Sequence, residues 1–240
     1  TLVGEYTVPT SVSTPDLGIT SYELASGQSV TDIYGNTMTS TTIPSGQNLS
    51  NNSAIVIDTA APTSTVASAV YNGSTGVLTL TGTNFDTLGK SNGEDVNAQL
   101  DWTKFSWDIE GDDATTSNVS FAASDLSSTI VTNATTLTLT LTSTKKTSLE
   151  STAGFAGAGA DGTAGSADTI DVSAGFFVDT AGNVSTGDAK SNAAITYSDT
   201  TRPIVSKFTS TDSDGSYGLG SSVNITATMS ETVLKGSTFV

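Results

Sequence analysis

The chain contains no cysteine and no histidine. Without cysteine there is no disulfide and no thiolate chemistry, although that absence alone does not decide the compartment. Without histidine the commonest general base and the commonest transition-metal ligand are both missing. Basic residues number 8 against 24 acidic ones, a formal charge of −16, so the Lys/Arg clusters that neutralise nucleic-acid phosphates are lacking. Charged residues make up only 13% of the chain, and the straight-chain helix formers Lys, Glu, Gln and Arg are scarce. No run approaches the ~20 apolar residues of a membrane span, and no stretch reads as a signal peptide. Carboxylates occur, but no pair of them sits in a supporting motif, and there is no Gly-x-x-x-x-Gly-Lys-Ser/Thr loop. These gaps point away from an enzyme.

What remains is a strand-forming composition. Serine and threonine together supply about a third of the 240 residues, glycine supplies 23, and hydrophobic residues 35%. Threonine and valine favour the pleated, half-buried surface of a sheet, which predicts an all-β chain. Its length suffices for one large or two ordinary domains with a buried core. An acidic surface suits solubility, or carboxylates neutralised by bound cations.

Two joints organise the sequence. Ile55-Val56-Ile57-Asp58-Thr59-Ala60-Ala61-Pro62 and Ile195-Thr196-Tyr197-Ser198-Asp199-Thr200-Thr201-Arg202-Pro203 each run an apolar alternation into an Asp, then reach a Pro after three residues. Proline cannot donate to a ladder and holds its predecessor extended, so each run stops there without turning back. Upstream of each joint stands an Asp-x-x-Gly-Asn turn, Asp32 to Asn36 and Asp179 to Asn183. Turn and joint have therefore occurred twice, the mark of a tandem array.

Three segments follow. Residues 1–58 hold few strands (Tyr6 to Val8, Leu17 to Leu24, Ala54 to Ile57) and a polar loop at Asn48 to Ser53, too little for a sandwich alone. Residues 59–199 hold a fuller set, with alternation at Val77 to Thr81, Phe105 to Ile109, Leu137 to Leu141, Ile170 to Val172 and Ala194 to Tyr197. A strand is also expected at Phe176 to Val178, and loop insertions at Glu110 to Thr116 and Ala153 to Asp168. Residues 200–240 carry Ile204 to Phe208 and the alternation of Val223, Ile225, Ala227 and Met229 around an acidic turn. The three read as the closing part of one domain, a complete domain, and the opening part of another.

The string Asp199-Thr-Thr-Arg-Pro203, Asp214-Gly-Ser-Tyr-Gly218, Val223-Asn-Ile-Thr226 and Ser230-Glu231-Thr-Val233 resembles the opening half of bacterial immunoglobulin-like repeats, which build giant surface adhesins and S-layer-type proteins. Tyr6-Thr-Val8, Asp16-Leu17, Asp32-Ile-Tyr-Gly-Asn36, Ile55-Val-Ile-Asp-Thr59 and Pro62 resemble the closing half. The middle matches through its Asp179 turn and Asp199 joint, but Asn84-Phe85-Asp86 stands where the repeats have Ser-Glu-x-Val. The resemblance implies tandem Ig-like β-sandwich domains in an extended array outside the cell, often stiffened by calcium at the joints.

Ca²⁺ takes six to eight hard oxygen ligands. The candidates are Asp58 and Asp199 at the corners, Asp32 with Asn36 and Asp179 with Asn183 at the turns, and Asp212, Asp214 and Glu231 in the last segment. Asp, Gly and Asn are also good turn formers in their own right. The acidic run Asp108, Glu110, Asp112, Asp113 reads as a solvated face, and Gly157 to Asp161 as a loop. Seven Asn-x-Ser/Thr sequons are uninformative at this Ser/Thr content.

The expectation is a non-enzymatic structural segment of a secreted cell-surface protein: an S-layer, filament or adhesin stalk. Its partners would be neighbouring Ig-like domains and copies of itself. The alternative is a carbohydrate- or ligand-binding module with loops around Trp102, Trp107 and Tyr217, to which an exposed Trp102 would point, although the alternation of Phe105, Trp107 and Ile109 already places Trp107 in the core. Residues 1–58 and 200–240 are expected to be completed by further chain in a longer polypeptide. Were the segment a whole subunit, one copy's tail would complete the next copy's head.

Overall fold

Leucine alternates with threonine or valine along β2 (Val77–Thr83) and β6 (Thr136–Leu141), and every leucine of that alternation is buried while its neighbours are not. A period of two places alternate side chains on opposite faces of a sheet, so these two strands fix which face is inward. They pair antiparallel, Leu78 opposite Leu139 and Leu80 opposite Leu137. The computed structural model describes residues 3–109, 118–152, 154–156, 167–199, 202–231 and 233. The chain divides into two compact units, Thr1–Ala60 and Ala61–Val240. It is predominantly β.

In the second unit the remaining strands are β1 (Thr65–Asn72), β3 (Phe105–Asp108), β4 (Asn118–Ser120), β5 (Leu126–Asn133), β7 (Thr169–Val172) and β8 (Lys190–Ser198). Together the eight form one sheet in the order β4-β3-β7-β8-β1-β2-β6-β5. Two strands separate β1 from β3, yet the rings of Tyr71 and Trp107 meet edge-on with centroids 5.3 Å apart. The sheet therefore curls until its inner face closes on itself. The enclosed core joins Leu78, Leu80, Leu137 and Leu139 from one half to Phe105, Trp107 and Ile170 from the other.

Strand β8 is where the halves meet. Its first residues pair antiparallel with β7, Ala193 opposite Ile170, and its last pair parallel with β1, Tyr197 opposite Tyr71 and Ser198 opposite Asn72. The hairpin from β1 to β2 closes through Gly76 N–H on the Asn72 carbonyl at 2.8 Å, with Gly76 at φ +70°. Gly82 on β2 is required by close approach, because a Cβ there would lie 1.8 Å from the Thr65 carbonyl oxygen. The free edge of β5 is covered by residues 93–96, which exchange backbone hydrogen bonds with Thr129 and Val131.

Some local structure differs from the sequence expectation. Helix α2 (Ser143–Glu150) follows β6 where no helix is expected, capped by the Thr142 hydroxyl accepting from Lys145 N–H at 3.2 Å. Phe176 to Val178 forms single bridges rather than a strand, Phe177 to Leu100 and Val178 to Val184. Glu110 to Thr116 and Gly157 to Asp161 lie outside the described residues, while Asp108 is buried rather than on a solvated face.

The Thr1–Ala60 unit contains extended chain, one helical turn α1 (Leu49–Asn52) inside the expected polar loop, and two isolated bridges, Thr14 to Ile57 and Thr31 to Thr37. The strands expected there do not form ladders, because a strand persists only with partners along its length. Ile57 is its one buried hydrophobic residue among those described, and Tyr6, Val56, Ile33 and Tyr34 are exposed. Beyond Asp199, β9 (Val205–Thr209) and β10 (Thr226–Met229) make a separate antiparallel pair with Ala227 opposite Phe208. Phe208 of the pair and the flanking Ile204 and Ile225 are exposed.

Candidate functional site

The two Asp-x-x-Gly-Asn segments fold identically. In the first, Asp32 Oδ1 accepts from Tyr34 N–H at 2.9 Å and Asn36 N–H at 2.8 Å, and Oδ2 accepts from Asn36 Nδ2 at 2.7 Å. In the second, Asp179 Oδ1 accepts from Ala181 N–H and Asn183 N–H, both at 2.9 Å, and Oδ2 from Asn183 Nδ2 at 2.8 Å. The backbone repeats as well. Asp32 N–H reaches the Asn36 carbonyl and Gly35 N–H the Asp32 carbonyl, at 3.0 and 3.1 Å, and the same pair closes Asp179 to Asn183 at the same distances. Gly35 and Gly182 stand at φ +87° and +89°, the left-handed conformation that glycine tolerates. The side-chain amide of Asn36, with the backbone N–H groups, holds the Asp32 carboxyl below the usual carboxylate range. The setting differs: Asp32 is exposed and Asp179 is buried against the core.

Each corner aspartate leans on a serine of its own unit. Asp58 Oδ1 accepts from Ser13 Oγ at 3.3 Å and from Ala60 N–H at 2.9 Å, and the neighbouring Thr59 hydroxyl donates to the Val12 carbonyl at 3.0 Å. Asp199 accepts from Ser74 Oγ in the β1–β2 turn. Thr200 and Thr201 of that joint lie outside the described residues. In the last segment Asp212 Oδ2 accepts from Asn224 N–H, tying the acidic turn to the chain before β10. Glu231 keeps Oε1 buried without a hydrogen-bond partner.

These geometries bear on calcium site by site. At the turns, the donors come from the turn itself, so the fold of Asp32 to Asn36 and Asp179 to Asn183 is accounted for without a cation. At Glu231 a buried carboxylate oxygen lacks a donor, which a cation would satisfy. Among the described residues no three acidic groups converge. Asp32, Asp58 and the Asn36 amide belong to one unit; Asp179, Asn183, Asp199, Asp212, Asp214 and Glu231 belong to the other.

Two buried carboxylates outside the candidate set gather several donors each. Asp168 is fully buried, and its Oδ2 accepts from Tyr197 OH at 2.6 Å, Trp107 Nε1 at 2.8 Å and Ala156 N–H at 3.0 Å. Its Oδ1 is buried without a partner. Asp188 accepts from Gly175 N–H at 2.9 Å, Phe177 N–H at 3.1 Å and the Ser185 hydroxyl. Desolvation works against its charge, but these donors outweigh it and hold the carboxyl below its ordinary range. The Asp168 cluster is not readable from spacing, since its three partners lie 61, 12 and 29 residues away.

The tryptophan on which the sugar-binding alternative depends is not on the surface. Trp102 is buried rather than exposed, stacking on Phe121 and donating to Asn97 Oδ1 at 2.7 Å. Trp107 is wholly buried, and Tyr217 alone of the three is exposed. A cleft of about 230 Å³ between Ala61–Ser64 and Thr186–Gly187 contains no charged or aromatic side chain. No family model, curated protein or solved structure matches the chain. Among the described residues no helix is long and apolar enough to cross a membrane.

Proposed function

We propose that the chain is a load-bearing segment of a modular cell-surface protein, an S-layer, filament or adhesin stalk built of tandem Ig-like β-sandwiches. The observation that carries this reading is the parallel ladder between β1 and β8, the first and last strands of the sheet that starts after one joint and ends at the other. Tension entering before Thr65 and leaving after Ser198 pulls two parallel strands in opposite directions. Their hydrogen bonds are then loaded in shear and must fail together, whereas a hairpin pulled from its open end unzips one bond at a time. The curled sheet around a single core supports the sandwich part of the reading, and the repeated turn and joint support tandem modules. The role is structural rather than catalytic, and its setting extracellular. Mechanical unfolding along the joint-to-joint axis tests it.

Calcium at the joints is the second half of the proposal. Its supports are the 24 acidic residues, the twofold recurrence of the corner aspartate, and the unpartnered oxygen of Glu231. A cation bound to the folded form alone would raise the melting temperature by mass action. A melt in millimolar calcium and again with chelator tests this: an upward shift that Asp199→Ala reduces supports it, and superimposed curves remove calcium from the account.

A further inference from the structure

The eight-stranded sheet shows what a strand at each side of a joint pairs with. Strand β8, which runs into Asp199, has β7 as an antiparallel neighbour and β1 as a parallel one. Strand β1, which follows Pro62, has β2 as an antiparallel neighbour and β8 as its parallel one. Residues 54–57, which run into Asp58, repeat the first situation with one neighbour short. On one side the N–H groups of Leu17 and Thr14 donate to the Ile55 and Ile57 carbonyls at 2.7 and 2.8 Å. The backbone groups of Val56, on the other side, have no partner among the described residues, and its side chain is exposed. Strand β9, which follows Pro203, repeats the second situation. It pairs antiparallel with β10, has no second neighbour among the described residues, and is exposed from Ser206 to Thr209.

We propose that copies of the chain join head to tail, residues 54–57 of one copy adding in parallel to the open edge of β9 in the next. Each piece supplies the neighbour that the other lacks, in the orientation that β8 and β1 already adopt. In such strand addition the main-chain hydrogen bonds supply affinity, and they complete a two-stranded pair that is marginal alone. Charge favours the same partners. Residues 3–60 carry the carboxylates of Glu5, Asp16, Glu23, Asp32 and Asp58 and no basic residue. Arg202 and Lys207, before and within β9, are exposed and form no ion pair among the described residues. The acidic piece of one copy therefore meets a basic edge of the next, although the chains repel overall at −16 each. The exposed apolar side chains agree: Val56, Ile33 and Tyr34 on one piece, Ile204 and Phe208 on the other. In the second Asp-x-x-Gly-Asn turn, Thr180 stands where the first has Ile33, and its N–H bonds the Leu88 carbonyl beyond β2 at 3.2 Å. The first turn lacks that neighbour too. Because the two joining surfaces differ, the contact repeats from copy to copy. It requires neither the calcium nor the load-bearing geometry proposed above, so its failure leaves both standing.

Sedimentation velocity of the full 240-residue chain in chelator, from about 1 to about 300 µM, tests it. The expected result is a reversible rise in mean mass from 24.2 kDa to the dimer and higher. Val56→Glu spoils the added strand and Phe208→Glu the accepting edge, and each variant, with an unchanged melting curve, is expected to stay monomeric alone. Mixed in equal amounts the two variants are expected to form a dimer and stop there, since one intact strand and one intact edge remain between them. Ala174→Glu, on an exposed turn elsewhere, associates as the wild type does. A wild-type chain that stays monomeric throughout the range overturns the proposal. So does association that neither Val56→Glu nor Phe208→Glu weakens, and so does a mixture of the two that forms no dimer.

Discussion

Tyr71 on the first strand of the sheet and Tyr197 on the last are register partners across the parallel ladder, and their rings meet edge-on with centroids 6.3 Å apart. Each hydroxyl turns to a carboxylate: Tyr71 to Glu150 at 2.9 Å and Tyr197 to Asp168 at 2.6 Å. The ladder proposed to carry tension is thus anchored on the core side by two tyrosine–carboxylate bonds.

Burial first, and then the carboxylate partner, raises both tyrosine hydroxyls far above their ordinary range. A folded-state pKa above the unfolded value contributes stability that is complete below the unfolded value near ~10 and is lost as pH rises beyond it. Stability in urea is therefore expected to hold from neutral pH to about 10 and to fall above it. Tyr71→Phe with Tyr197→Phe flattens that alkaline fall, at the cost of lower stability at pH 7.

Asp168 gathers donors from β3, from the chain after α2 and from β8. Asp168→Ala leaves the Trp107 and Tyr197 donors without an acceptor and is expected to cost about 2–4 kcal/mol. Urea unfolding followed by tryptophan emission measures it. A change below ~0.5 kcal/mol would mean that this cluster does not hold the two halves of the sheet together.

The two copies of the Asp-x-x-Gly-Asn turn offer an internal comparison. Asp179→Ala, which removes a buried carboxylate and leaves the part-buried Ala181 and Asn183 N–H groups without their acceptor, is expected to destabilise by about 1–2 kcal/mol. Asp32→Ala makes the same deletion in the open and is expected to change global unfolding less, because water replaces the lost acceptor. Equal losses at both positions would contradict the different settings of the two turns.

Asp188 contributes to stability on the acid side. Its carboxyl is held below the ordinary value by Ser185, Gly175 and Phe177 against the pull of burial. A depressed folded pKa contributes stability that is present above the unfolded value near ~3.9 and is lost as pH falls through the folded one. The stability gap between the wild-type chain and Asp188→Asn is therefore expected to narrow below about pH 4. A gap independent of pH would assign the effect to shape alone.

Much of this was legible in the sequence, because the signals concerned are local. Leu78 with Leu80, and Leu137 with Leu139, announce their strands by a period of two, and they line the core. The Asp179 to Asn183 turn is readable because every one of its donors lies within four residues. What could not be read depends on distant pairing. The parallel match of β1 to β8 joins residues more than a hundred positions apart, and nothing in either strand names the other. Trp102 is adjacent to polar residues on both sides, and only the arrival of Phe121 and Phe176 buries it. Helix α2 has weak propensity, and its short apolar contribution, Leu149, is fixed by the core it meets.

The load-bearing reading is tested most directly by pulling the chain along two directions. The absence of cysteine makes unique handles available, Ala61→Cys with Ser198→Cys for the joint-to-joint axis and Ser127→Cys with Thr140→Cys for the open end of the β5–β6 hairpin. Along the first axis a single rupture is expected at a force several-fold above the second, releasing roughly 130 residues, or about 450 Å at ~3.5 Å per residue. Equal forces along the two axes would contradict the account, because the parallel ladder between Tyr71 and Tyr197 would then confer no mechanical advantage.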